Sequence, residues 1–329
     1  MAKTPKEPVV EEEGTTTKDG ENDFKEDTSM KITRRCFLGT MTAVGASAII
    51  GNQSALAASE FSGWPNRYGM LTDLTACVGC RSCENACNEA NKLPPPKISF
   101  DDQSVFNRYR DTEPGAYTVV NQYPNLKDQK NPIFVRRQCM HCNQPACASA
   151  CLVKAMEKTK EGPVFYNKDK CMGCRYCMIA CPFDIPKFEY DKAMPYVRKC
   201  TFCYLRQKEG KIPACAEACP TGATKFGKRK ELIEIAKIRI YQNPDKYFHH
   251  IYGEAEVGGS GWLYLSSVPF EQIGFKTDLG TVPYPELTKG FLYGVPIVLL
   301  LWPTFLLGIS RSNGTNNSKK EVEKDVYSI

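Results

Sequence analysis

The sequence predicts an α+β chain built from two tandem cysteine-lined modules and one C-terminal transmembrane helix. Three observations carry that expectation. Sixteen of the 17 cysteines fall into four tight quartets, short apolar runs lead into those quartets, and residues 290–310 contain no charged side chain.

The first quartet is Cys77, Cys80, Cys83 and Cys87, with gaps of two, two and three residues. The second, Cys139, Cys142, Cys147 and Cys151, has gaps of two, four and three. The third, Cys171, Cys174, Cys177 and Cys181, repeats the first spacing and is followed by Pro182. The fourth, Cys200, Cys203, Cys215 and Cys219, has gaps of two, eleven and three and is followed by Pro220. Cys-x2-Cys-x2-Cys-x3-Cys-Pro is the bacterial ferredoxin run, in which three thiolates cap one cubane and the fourth ligates a neighbouring one. Two-residue gaps let a tight loop aim successive sulfurs at different irons. Four quartets therefore predict four [4Fe–4S] clusters, with iron held through these cysteines. Two rival chemistries are weaker. Structural zinc needs paired Cys-x2-Cys knuckles but neither the third cysteine nor the Cys-Pro ending. A disulfide framework would suit an exported chain, but not cysteines this densely spaced.

In chain order, residues 1–29 are rich in Glu, Asp, Lys and Thr and are expected to be disordered. Thr33-Arg34-Arg35-Cys36-Phe37-Leu38 matches the twin-arginine export pattern and precedes an apolar stretch and an Ala55-Leu56-Ala57 cleavage site. That route carries folded proteins, so clusters inserted in the reducing cytoplasm can be exported. Translation from Met1 or from Met30 fits equally. Residues 58–230 are expected to form the four-cluster domain. Met70–Thr72 and Val164–Tyr166 read as strands leading into cysteine loops, and Ala223–Phe226 as a strand following one. Strand, loop, cysteine helix, strand is a ferredoxin half-unit, and four halves make two modules. Much of the local folding energy must come from metal, because such loops leave little apolar core. Residues 88–138 are an insertion with a strand at Ile133–Arg136. Residues 231–289 are expected to be a helix, with Leu232, Ile233, Ala236 and Ile240 at helical spacing and a stop before Pro244, then an extended connecting segment laid over a partner.

Residues 290–310 are long enough to span a bilayer. Pro296 and Pro303 are tolerated in a membrane helix when neighbours satisfy the freed carbonyls. A buried core helix is the alternative. Arg311, Lys319, Lys320 and Lys324 place residues 311–329 on the cytoplasmic side. The formal net charge is +6, which rises to +8 without residues 1–57. Each oxidised cluster with its thiolates carries about −2, so the basic excess calls for no nucleic-acid partner. Arg81, Arg175, Arg198 and Lys199 adjoin the quartets, where they either raise cluster potentials or form solvated surface. Only three histidines occur, namely His141 inside a cysteine loop and the pair His249-His250. No haem site, dinucleotide loop or nucleophile elbow is present, and no catalytic residue is expected.

The quartets, with Arg137-Gln138-Cys139-Met140-His141-Cys142 and Cys171-Met172-Gly173-Cys174-Arg175-Tyr176-Cys177-Met178, resemble four-cluster iron–sulfur subunits of the complex iron–sulfur molybdoenzyme and hydrogenase families. Within these the chain is most similar to the HybA-like subunits of hydrogenase-2 type. The likeness extends through Ile251-Tyr252-Gly253-Glu254, Gly258-Gly259, Ser267-Val268-Pro269-Phe270 and the single anchor. It implies one cluster on Cys77, Cys80, Cys83 and Cys219, and a second on Cys87, Cys200, Cys203 and Cys215. It implies a third on Cys139, Cys142, Cys147 and Cys181, and a fourth on Cys151, Cys171, Cys174 and Cys177. Leu152 departs from the proline usual after the second quartet. The implied function is electron transfer, without catalysis, between a periplasmic catalytic subunit (a NiFe hydrogenase) and a polytopic, quinone-reactive membrane subunit, on the periplasmic side of a bacterial inner membrane. The alternatives are the same role beside a molybdopterin enzyme, of formate dehydrogenase or sulfur-oxyanion reductase type, and a zinc-binding structural adaptor.

Overall fold

The computed structural model describes residues 66–128 and 130–326, with side chains described as far as Arg311. The acidic leader, the twin-arginine segment and its cleavage site lie outside the described residues.

A three-stranded sheet organises the domain. Strand β1 (Tyr68–Asp73) leads into the first cysteine loop and the helix α1 (Ser82–Ala90). The insertion supplies a hairpin, β2 (Val119–Tyr123) and β3 (Ile133–Arg137), in antiparallel register from Val119 opposite Arg137 to Tyr123 opposite Ile133. The second quartet holds the short helix α2 (Ala146–Ser149), followed by the hairpin β4 (Met156–Lys158) and β5 (Val164–Tyr166). Helix α3 (Tyr176–Ile179) carries the third quartet, and β6 (Lys187–Phe188) pairs with β7 (Val197–Arg198). Helices α4 (Tyr204–Lys208) and α5 (Ala214–Glu217) belong to the fourth quartet. Strand β8 (Thr224–Lys228) returns antiparallel to β1. Helix α6 (Arg229–Gln242) follows directly.

Residues 244–288 differ from the expected connector. They contain β9 (Trp262–Leu265), which pairs parallel with β1, Met70 opposite Trp262 and Asp73 opposite Leu265. The sheet order is β8-β1-β9. Both faces of β9 are covered, so its apolar run shows no polar alternation. Leu263 and Leu265 join Leu71, Leu232 and Ala236 in a core under α6. Trp262 and Tyr264 join Met70 and four cysteines, Cys87, Cys139, Cys200 and Cys215, in the main core. Backbone bonds lock the segment to the second cysteine loop: Gly261 N donates to Met140 O at 3.0 Å, and Asn143 N donates to Gly259 O at 3.0 Å. The segment is therefore a wall of the cysteine domain. A smaller core of Met156, Val164 and Val197 surrounds Cys147 and Cys177.

Helix α7 (Tyr284–Val326) extends past the uncharged run at both ends and continues through Pro296 and Pro303. Its Tyr284–Arg311 portion is long and apolar enough to cross a membrane. At about 1.5 Å per residue it exceeds the ~30 Å hydrocarbon thickness. Leu299, Leu300 and Leu301 on it are exposed, as suits lipid contact.

Candidate metal centre

Each Cys-x-x-Cys loop makes the same backbone turn. The residue before the second cysteine has positive φ in all four: Gly79 at 70°, His141 at 48°, Gly173 at 75° and Phe202 at 55°. Two of these are not glycine, and a left-handed residue with a Cβ costs about 1–2 kcal/mol. His141 and Phe202 recover part of that cost through packing. Their rings stack at 4.8 Å, and His141 Nδ1 accepts the Val164 N–H at 2.9 Å. Arg81 and Arg175 repeat the left-handed turn at 59°, each opening the helix that presents the third cysteine.

The turns converge cysteines from distant parts of the chain. Cys77, Cys80, Cys83 and Cys219 line one cavity, and Cys87, Cys200, Cys203 and Cys215 line another. Cys142 feels the charges of Cys181, Cys139 and Cys147, and Cys177 those of Cys151, Cys171 and Cys174. The four groupings are neighbours in a row. Cys215 acts on Cys83, Cys139 acts on Cys200, and Cys177 acts on Cys147. Among the described cysteines only Cys80 and Cys174 are exposed, and they belong to the two ends of that row.

The donor chemistry fits iron–sulfur clusters. Burial pushes the Cys83 thiol up to about 12 and the Cys177 and Cys181 thiols to about 11. Such thiols ionise only when a metal replaces the proton. Hydrogen bonds to sulfur are in place, as cluster ligands need. Phe202 N donates to Cys200 Sγ at 3.3 Å, Ala155 N to Cys151 Sγ at 3.1 Å, and Ser82 Oγ to Cys80 Sγ at 3.4 Å. Burial opposes ionisation of Cys219 too, but backbone donors at Thr224, Ala223 and Thr221 and the Thr221 hydroxyl bring it below the ordinary thiol range. Among the described residues no three Cys, His, Asp or Glu side chains converge closely enough to grip a single metal ion. Tetrahedral zinc, with Zn–S of about 2.3 Å, would hold its sulfurs roughly 4 Å apart.

The basic residues beside the quartets take different roles. Arg81 is buried and tied to Glu84 at 3.1 Å and to the carbonyls of Ser99 and Asp102 at 2.7 and 3.1 Å. It pins the insertion to α1. Arg198 pairs with Glu189 at 2.9 Å, and Arg175 lies exposed over the Phe188 and Tyr190 rings. Lys199 is buried and donates to the carbonyls of Val164 and Cys200.

Sequence reading missed Arg136. It is 3 % exposed, and its Nε donates to Thr118 Oγ1 at 2.9 Å. Its guanidinium lies 4.8 Å from the Trp262 ring centroid. It borders both the Cys77/Cys80/Cys83/Cys219 cavity and the Cys87/Cys200/Cys203/Cys215 cavity. Burial opposes its charge, yet the sulfurs of Cys215 and Cys83 hold its pKa well above the usual arginine value. The only sequence signal was an arginine on a strand three residues before a quartet.

Residues 131–229 match the family model of the 4Fe-4S dicluster domain. A protein of Nitratidesulfovibrio vulgaris Hildenborough is 49% identical over 279 residues, covering 84% of this chain and 75% of that one. The hydrogenase-2 operon protein HybA of Escherichia coli O157:H7 is 33% identical over 283 residues, covering 76% of this chain and 86% of HybA. The iron–sulfur subunit of the nitrate-inducible formate dehydrogenase of Escherichia coli K12 is 32% identical over 211 residues, covering 63% and 70%. The sixteen described cysteines, the dicluster match and this kinship mean that the chain carries multiple [4Fe–4S] clusters. The chain belongs to the HybA-like iron–sulfur subunits, electron-transfer components of oxidoreductase complexes.

Proposed function

We propose that this chain conducts electrons through four [4Fe–4S] clusters between a periplasmic catalytic subunit, a NiFe hydrogenase, and a quinone-reactive membrane subunit. The carrying observation is the row of four cysteine sets whose terminal members, Cys80 and Cys174, are the exposed ones. The ligand sets of this proposal are Cys77, Cys80, Cys83 and Cys219, then Cys87, Cys200, Cys203 and Cys215. The third is Cys139, Cys142, Cys147 and Cys181, and the fourth Cys151, Cys171, Cys174 and Cys177. Each cluster, when bound, supplies a one-electron carrier whose potential is set by charge, hydrogen bonds and exposure. The protein's part is to space these carriers, wall them from water with β9 and the core aromatics, and leave both ends open for partners.

The twin-arginine segment supports export with clusters already in place. Helix α7 supports a single-pass anchor with residues 311–329 in the cytoplasm. In this reading residues 1–57 are a removable leader, 58–230 bind the clusters, and 290–310 cross the bilayer. A molybdopterin partner such as a formate dehydrogenase is the second reading, favoured by the 32% identity to a formate dehydrogenase subunit. Anaerobically purified protein is expected to hold about sixteen irons and sixteen sulfides per chain. Stoichiometric zinc without sulfide would sink the proposal. Hydrogen-linked or formate-linked quinone reduction by membranes containing the chain, lost on its deletion, decides between the two partners.

A further inference from the structure

Among the described residues Arg136 is a buried cation without a carboxylate partner. The ion pairs of the neighbouring basic residues are accounted for: Arg81 and Arg110 with Glu84, Arg137 with Asp111, Arg198 with Glu189. Arg136 has none of these. Its Nε reaches a neutral hydroxyl, its face rests on Trp262, and among the described residues its Nη1 has no hydrogen-bond partner. A guanidinium 3 % exposed is not held charged by a threonine and an indole. It lines both cysteine cavities, beside Cys77, Cys80, Cys83 and Cys219 in one and Cys87, Cys200, Cys203 and Cys215 in the other, with the Cys215 sulfur and the Tyr264 hydroxyl as its other polar neighbours. The hairpin β2–β3 fixes the residue between the two cavities, and the Tyr264 hydroxyl anchors the Arg136 carbonyl at 2.9 Å.

We propose that Arg136 is the shared counter-ion of the two clusters held by Cys77/Cys80/Cys83/Cys219 and Cys87/Cys200/Cys203/Cys215, raising the reduction potential of both. The inference rests on the four-cluster reading. A fixed positive charge favours the form with the added electron, and one placed between two anionic groups also screens their mutual repulsion. The orphaned Nη1 is the donor left over for the negative group that Arg136 serves.

The test is a comparison of wild type with Arg136→Gln and Arg136→Lys, full-length and purified anaerobically. Iron and sulfide are counted, and midpoint potentials are read from the reduced-cluster signals during an electron-paramagnetic-resonance redox titration. With iron retained in Arg136→Gln, two of the four midpoints are expected to fall and two to stay. The expected fall is at least a tenfold loss in reduced-to-oxidised ratio at fixed poise, 59 mV for a one-electron couple. Arg136→Lys keeps a charge and is expected to stay near wild type. Four unchanged midpoints in a fully loaded Arg136→Gln protein would overturn the proposal. If Arg136→Gln loses half its iron, restoration by Arg136→Lys supports the counter-ion role, whereas equal loss in both variants overturns it. Wild-type protein with far fewer than sixteen irons would instead remove the four-cluster reading itself, whatever the variants do.

Discussion

Replacing Glu84 by glutamine tests how the insertion is fastened to the first cysteine helix. The Glu84 carboxylate accepts from Arg81 Nη2 at 3.1 Å, Arg110 Nη1 and Nη2 at 3.1 and 2.5 Å, and Val120 N at 2.6 Å. Glutamine keeps the shape and one acceptor but removes the charge. Arg110 is partly exposed and regains water; Arg81, at 2 % exposure, keeps only the Ser99 and Asp102 carbonyls. Removing one partner of a buried pair costs about 3–5 kcal/mol. For a domain of this size each kcal/mol moves the melting temperature by about 2–4 °C, so Glu84→Gln should melt roughly 6–20 °C lower. The assay is anaerobic thermal denaturation, followed by cluster absorbance and far-ultraviolet circular dichroism at one scan rate, because cluster loss makes unfolding irreversible. Glu209→Gln is the control. Its pair with Lys211 is exposed on both sides, and such pairs are worth about 0–1 kcal/mol. A Glu84→Gln melting point within about 2 °C of wild type would refute the account of Glu84 as the buried fastener.

Gly79→Ala should impair loading of the first cluster far more than Gly173→Ala impairs the fourth. Both glycines have positive φ, but a Cβ at Gly79 would lie 2.4 Å from the Phe134 ring, whereas at Gly173 the nearest atom is 4.0 Å away; equal iron loss in the two variants contradicts this. Deleting residues 290–329 should release a soluble protein with full iron content and abolish quinone-linked activity while dye reduction at the catalytic subunit survives. Membrane-bound truncated protein would show that other contacts hold the complex. Changing Arg34-Arg35 to Lys-Lys should leave loaded precursor in the cytoplasm, because the export receptor reads the arginine pair as an address. Fractionation showing undiminished periplasmic protein would rule that segment out as the signal.

Local chemistry was legible in the sequence, and long-range closure was not. The cysteine loops, β1, β3, β5, β8 and α6 could be read because each is announced by spacing, short apolar runs or helical periodicity within a few residues. Strand β9 could not. It is four residues long, both its faces are buried, and its partner β1 lies 192 residues earlier, so neither polar alternation nor a local turn signal marks it. Arg136 was read as the end of a strand without a role. Its importance comes from the β2–β3 register and from cysteines brought beside it by other loops. Arg81 was read as a modulator or solvated charge, since nothing local reveals that Glu84 faces it under the insertion. The grouping of the cysteines came from the family resemblance, because spacing alone leaves the fourth member of each set free to join any neighbour.

The β8-β1-β9 sheet has a consequence for the life of the nascent chain. Its central strand, residues 68–73, is translated first, but its two partners end at residues 228 and 265. At about 5–20 residues per second, roughly ten to forty seconds separate the emergence of β1 from that of its last partner. β1 presents two unpaired edges until β8 emerges and one until β9 does, and in the proposed ligand sets Cys77, Cys80 and Cys83 wait for Cys219. In the proposed ligand sets, the site that begins first in the sequence is the last to be completed. Pairings this distant fold slowly, so the earliest thiols spend longest open to oxidants and to stray metals. In the order of synthesis, closure of the sheet by residues 224–228 and 262–265 comes after every cysteine loop has emerged.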